Sequence, residues 1–129
     1  MIGDNKMYCN ECGTNNDAIY SSSLFSMPIY LIIILNRGRG NIYHCKVNFQ
    51  QIFDLSKYVS FKEGGYLYDW YAVICHLGES SMNGYFIAFR GHIVSDKSYK
   101  YNDSIVSECE NDEYLVGVPY ILFYQQIDT

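Results

Sequence analysis

Cys9 and Cys12 are separated by Asn10 and Glu11 and followed by Gly13. Two intervening residues let a backbone knuckle present both thiolates to one tetrahedral metal ion, but such an ion takes four ligands. No second CxxC and no HxxxH follows, so the pair reads either as half of a metal site or as a turn that carries two thiols. The other thiols and imidazoles are Cys45, Cys75, Cys109, His44, His76 and His92. His44 adjoins Cys45 and Cys75 adjoins His76; strand neighbours point to opposite faces, so neither pair makes a thiolate and imidazole dyad locally. A buried or half-buried structural histidine is the favoured reading of each. Tyr101-Asn102-Asp103-Ser104 has the composition of a turn at a strand end, where such side chains bond the backbone. Gly78 and Gly84 bound a seven-residue loop that suits either a cover over a ligand channel or an ordinary hairpin connection. Glu108, Glu110, Asp112 and Glu113 lack the ligand alternation of a calcium loop and read as solvated surface.

The chain that must position these groups has 129 residues, which suits one compact unit. Its 9 Lys and Arg against 14 Asp and Glu give a net charge of -5, which argues against a nucleic-acid partner. The first sixteen residues hold no apolar run, so the expectation is an intracellular protein, cytoplasmic or nuclear. The most apolar stretch, residues 27–35, is too short to cross a membrane as a helix. An odd count of 5 cysteines at irregular spacing disfavours a disulfide framework. With 14 Tyr beside 7 Phe, the composition leans toward sheet.

Periodicity predicts a mainly β (α+β) chain: an antiparallel sheet with one short helix. Strands are expected at 18–26, 30–35, 42–49, 66–77, 85–89, 99–101, 105–106 and 120–124. The β-branched run at 30–35 reads as a central strand buried on both faces. Apolar residues at 52, 55, 58 and 59 give the helix, which Gly64-Gly65 ends. The strands at 66–77 and 85–89 are expected to be antiparallel neighbours across the glycine-bounded loop.

Taken in order, these pieces resemble the C-terminal half of a ubiquitin-specific protease catalytic domain. Cys9-Asn10-Glu11-Cys12 resembles the second CxxC of the family's finger zinc ribbon, and Pro28 to Arg37 its proline-led apolar strand. Tyr68 to Gly78 resembles the strand before its blocking loop. Tyr101-Asn102-Asp103-Ser104-Ile105-Val106 resembles its Asn-Asp-Ser motif, and Tyr120 to Gln125 its closing strand. The resemblance implies part of a papain-like cysteine protease fold, with fingers and central strand over about 1–50 and palm over about 51–129. It implies ubiquitin or a ubiquitin-like protein as partner, and thiol-protease cleavage after the ubiquitin C-terminal Gly-Gly. It places Asn102 and Asp103 at the positions that orient the catalytic histidine, and Gly78, Gly84 and Phe86 along the channel for the ubiquitin tail.

Two departures from the family pattern set the expectation for activity. No cysteine here matches the family's nucleophile motif, and Tyr85 stands where the family carries its histidine, 17 residues before Asn102. A phenol ionises near pH ~10 and offers no basic lone pair at neutral pH. His92 is the only nearby substitute, and it lies past the strand. The chain alone is therefore expected to be inactive, with a catalytically dead ubiquitin-binding or scaffold module as the alternative. Its expected partner is the missing N-terminal half, whose absence would leave apolar surface for self-association. No cofactor is expected; zinc would need two ligands beyond Cys9 and Cys12.

Overall fold

The computed structural model describes residues 6–37, 47–60, 63–78, 84–91, 97–110 and 117–127. Among the described residues nine strands form two sheets: β1 (Met7–Cys9) and β2 (Thr14–Asn16) make a small ribbon, and seven strands make the main sheet. The main sheet contains β3 (Tyr30–Ile34), β4 (Ile52–Asp54), β5 (Leu67–Leu77), β6 (Tyr85–Gly91), β7 (Ser98–Asn102), β8 (Ile105–Cys109) and β9 (Val118–Gln126). Its order is β3-β9-β5-β6-β7-β8, with β4 also pairing β5, and every pairing is antiparallel.

The alternation along β5, β6 and β9 decides which side is core. Val73 and Cys75 of β5 stand opposite Phe89 and Ile87 of β6, while Val73 also stands opposite Leu122 of β9. These residues join Tyr68, Tyr124 and Leu55 in one buried cluster. Segments outside the sheet are fastened over that side by tyrosines. The Tyr68 hydroxyl donates to the Pro28 carbonyl, and the Tyr124 hydroxyl donates to the Gln50 carbonyl at 2.9 Å. Phe53 closes the cluster with its ring 5.6 Å from that of Tyr124.

Four expectations need correction. The run at 30–35 is not central: among the described residues β3 pairs only with β9. It is not buried twice either, since Leu31 and Ile33 turn toward the core while Tyr30, Ile32 and Ile34 are exposed, Ile34 at 72%. A continuous apolar run fits two covered faces or one covered and one open apolar face, and hydropathy does not separate them. The predicted helix is instead β4 followed by one 3-10 turn, Ser56–Tyr58. Two turns of apolar spacing cannot outweigh the nucleation cost of a helix when Ile52 and Phe53 can join a ladder to Asp69 and Tyr68. The turn begins where the Ser56 amide donates to Asp54 Oδ1 at 2.9 Å. Residues 18–26 form no strand, only one parallel bridge from Leu24 to Val59. Of the expected strand 42–49, residues 42–46 lie outside the described residues and 47–49 are not in a strand.

Asp69 is a buried carboxyl on β5 whose Oδ1 has no hydrogen-bond partner. Burial raises its pKa, and hydrogen bonds from the Gln51 side chain and the Trp70 amide only partly offset this. The folded state therefore binds its proton more tightly than the unfolded chain. Stability from this group is lost as pH rises from the ordinary carboxylate range through the raised value. Asp69→Asn is expected to raise the melting temperature by a few degrees at pH 7 and by less near pH 3, measured by thermal circular dichroism. An equal shift at both pH values, or a fall at pH 7, would contradict it.

Candidate active-site edge and thiol knuckle

The end of the β5–β6 hairpin gathers most of the predicted site. Leu77 pairs with Tyr85 and His76 with Phe86, and Gly78 and Gly84 flank them with φ of 132° and 152°. Residues 79–83, the interior of the predicted loop, lie outside the described residues. Glycine at 84 is required twice over, by its φ and by its surroundings. A Cβ there would meet the Leu77 carbonyl and sit 2.6 and 2.8 Å from His76 Cε1 and Nε2.

Strand parity divides the residues between two faces. Tyr85 shares a face with Ile87 and Phe89, and Phe86 shares the other with His76. On β7, Tyr101 stands opposite Ala88, so Asn102, one residue on, belongs to the face of Tyr85 and Ile87. Tyr85 and Asn102 are thus close diagonal neighbours at one end of adjacent strands. Tyr85 is 54% exposed. Asp103 follows in the two-residue turn between Asn102 and Ile105, held in the left-handed region at φ 52°, and is exposed. Aspartate tolerates this conformation better than most side chains, as the turn chemistry of the sequence anticipated.

The opposite face carries a group that sequence reading did not assemble. His76 is buried, its ring centroid 5.0 Å from Phe86 and 5.9 Å from Tyr120, and those two rings meet edge to face at 5.2 Å. Arg37 lies behind them, buried, 6.0 Å over the Tyr120 ring. Its Nε and Nη2 donate to the Pro119 carbonyl at 3.2 and 2.8 Å. A lone arginine after an apolar run, at the start of a Gly-rich turn, looks solvated in sequence; only the fold brings it under β9. The reading of His76 as a buried structural imidazole agrees with its burial.

Cys75 stands in the row that holds Ile87, on the face of Asn102. It is fully buried, and desolvation pushes its thiol to about 12, leaving almost no thiolate at neutral pH. Cys9 and Cys12 behave differently. At the tip of the β1–β2 ribbon, hydrogen bonds from the Cys12 side chain, then from the Cys12 and Glu11 amides, hold the Cys9 thiol below its ordinary value. The same side-chain bond raises that of Cys12. Iodoacetamide applied to the native protein is expected to modify Cys9 and Cys12 and to spare Cys75 until denaturant is added, as read by peptide mass spectrometry. His44, Cys45 and His92 lie outside the described residues.

A zinc ion held by one copy would need two ligands besides Cys9 and Cys12. Among the described residues no group of three or more His, Cys, Asp or Glu could hold a metal ion. Among the described residues, Cys9 and Cys12 thus offer two of the four ligands that a structural zinc site takes.

The antiparallel sheet, with its Asn-Asp turn beside a glycine-bounded hairpin and a separate cysteine ribbon, has the architecture of part of a papain-like deubiquitinase domain. The family model described as ubiquitin carboxyl-terminal hydrolase matches residues 3–124, and the chain belongs to that family. Mouse ubiquitin carboxyl-terminal hydrolase 17-like protein B is 34% identical over 98% of this chain, and rat ubiquitin carboxyl-terminal hydrolase 48 is 28% identical over 92%. The chain spans 28% and 12% of the lengths of these relatives. Among solved structures, the SAGA DUB module bound to monoubiquitin matches with a TM-score of 0.81 and 27% identity, covering 99% of this chain and 30% of that one. The SAGA Ubp8/Sgf11/Sus1/Sgf73 DUB module bound to ubiquitin aldehyde matches at 0.80 and 26%, covering 99% and 31%.

Proposed function

We propose that this chain contributes the sheet side of a deubiquitinase site, binding ubiquitin or a ubiquitin-like protein, and that by itself it hydrolyses nothing. The observation that carries this reading is Tyr85. It occupies the start of β6, diagonal to Asn102, and the family resemblance puts the base at this position. Thiol proteolysis needs a nucleophile, a base that takes its proton, and a group that orients the base. Asn102 can orient an imidazole through its amide, and Asp103 follows it in the turn, but a phenol at position 85 cannot accept a thiol proton. The one described imidazole, His76, belongs to the opposite face and is enclosed by Phe86 and Tyr120. Cys75 is disqualified as nucleophile by burial.

Cleavage after the ubiquitin Gly-Gly would then require a complementary polypeptide that brings both the nucleophile and a base. Gly78, Gly84 and Phe86 are the residues here that would line the tail channel, where close walls admit glycine by excluding larger side chains. Phe86 is 55% exposed, as a contact residue must be. A fluorogenic ubiquitin C-terminal substrate tests the claim: no thiol-dependent fluorophore release above buffer is expected. Release abolished by iodoacetamide would refute it.

Tyr85 also favours a second reading, in which the chain binds ubiquitin without any chemistry in its assembled state. Nuclear magnetic resonance titration separates the two. Weak, fast-exchange shifts around Phe86 and Gly84 fit a sheet that holds only one side of the tail; tight saturable binding by the chain alone favours the non-catalytic binder.

A further inference from the structure

We propose that Arg37 is a positioning residue: by fastening a bulge in β9 it holds Phe86 in the orientation with which it meets the ubiquitin tail, a role that rests on the ubiquitin-binding reading of this edge. Between β5 and β9, Ile121 stands opposite Ile74 and Pro119 opposite Cys75, so Tyr120 is an extra residue with no partner on β5. A bulge of this kind re-aims a side chain, and bulges gather beside functional edges for that reason. Here the re-aimed ring is that of Tyr120. It lies 5.9 Å from the His76 ring and 5.2 Å from that of Phe86, and His76 and Phe86 are 5.0 Å apart. Each ring of the triangle bears on the other two, with both contacts to Phe86 in the edge-to-face geometry that aromatic quadrupoles prefer.

The bulge is held from the end of β3. The Leu35 amide donates to the Tyr120 carbonyl at 2.8 Å, and two residues on, Arg37 Nε and Nη2 both donate to the Pro119 carbonyl. Bonds from a charged fork are shorter and stronger than neutral ones, and two of them on one carbonyl fix its direction. The same guanidinium lies 6.0 Å over the Tyr120 ring, so one buried side chain grips the bulge through backbone and ring together. At the other corner His76 has no room to retreat, because its Cε1 and Nε2 fill the space where a Cβ on Gly84 would stand. Phe86, the exposed member, thus takes its orientation from two rings that stay in place while the bulge does. Arg37 is buried behind Tyr120 and acts on the tail only through this stack.

Nuclear magnetic resonance of the aromatic side chains, followed by titration with ubiquitin, tests this role. Arg37→Met is expected to displace the ring signals of Tyr120, His76 and Phe86 while the amides of Val73 and Phe89 in the core keep their shifts. Ubiquitin binding read at Phe86 should weaken roughly 3- to 10-fold. Arg37→Lys keeps the charge without the fork and should fall between the two, which also decides the matter if the methionine variant does not fold. Val59→Ala truncates a buried residue that is bridged to Leu24 and takes no part in the stack, so it serves as the destabilised comparison and should leave rings and binding unchanged. Ring signals unmoved by the Arg37 substitutions, equal movement in Val59→Ala, or displaced rings with unchanged ubiquitin affinity would each overturn the role of Arg37. If the unsubstituted chain shows no ubiquitin-induced shifts, it is the ubiquitin-binding reading that fails, and the ring signals alone then decide whether Arg37 sets Phe86.

Discussion

Tyr68→Ala is expected to cost about 3–5 kcal/mol, a large share of the 5–15 kcal/mol that typically stabilises a single domain. Tyr68 is completely buried, so truncation removes an aromatic ring from the middle of the core and leaves a cavity that the neighbouring ladder strands cannot collapse into. It also cuts the tether from the phenol to the Pro28 carbonyl, which holds the approach to β3 against β5. Tyr68→Phe separates the two contributions. It keeps the ring and loses one hydrogen bond, for about 1 kcal/mol. Urea unfolding followed by tryptophan fluorescence would measure both, through the lone Trp70 in the core's margin. Equal effects from the two substitutions would mean that the tether, not the packing, carries the residue's contribution.

Gly84→Ala is the second large effect, with a different signature. The added methyl would press on the Leu77 carbonyl, which is backbone and cannot rotate aside, and on the enclosed His76 ring. The residue would also have to adopt a φ of 152°, which side chains avoid. Together these cost roughly 2–4 kcal/mol. The hairpin has a cheaper way out than global unfolding: it can release the last pairs, Leu77 with Tyr85 and His76 with Phe86. Hydrogen exchange should therefore speed up at these amides and stay slow at Val73 and Phe89. Any ubiquitin contact through Phe86 should weaken in parallel. Uniform loss of protection along β5 and β6 would show that the hairpin end is not an independent unit.

The strands at the heart of the sheet were legible because their local and global demands agree. Residues 67–77 and 85–91 are β-favouring, bounded by glycines, and joined in sequence, so pairing needs little else. The Asn-Asp-Ser turn was legible for a similar reason, since Asp103 can tolerate the left-handed conformation that a two-residue connection demands. Elements whose fate depends on distant partners were not. Ile52 and Phe53 look helical beside Leu55 and Tyr58 until β5 offers them a ladder. The run at 30–34 looks central because no polar residue marks its open face. At the site, counting 17 residues from Tyr85 to Asn102 matched the family's spacing in sequence, while their diagonal placement on β6 and β7 came only with the register. The stack of Arg37, Tyr120, His76 and Phe86 could not be read in sequence, because it joins β5, β6, the start of β9 and a residue just past β3 that is far from all three in sequence.

The placement of β9 between β3 and β5 has a consequence for how the protein is made. Tyr30 pairs with Gln125 and Ile34 with Ile121, so β3 is synthesised long before the strand that will hold it. At about 5–20 residues per second, the ribosome leaves β3 without its partner for on the order of 5–20 s. Through that interval Ile32, Ile33 and Ile34 lie on an unpaired edge with the composition that invites aggregation. The β3 segment thus waits for its ladder partner until residues 121–126 have emerged from the ribosome.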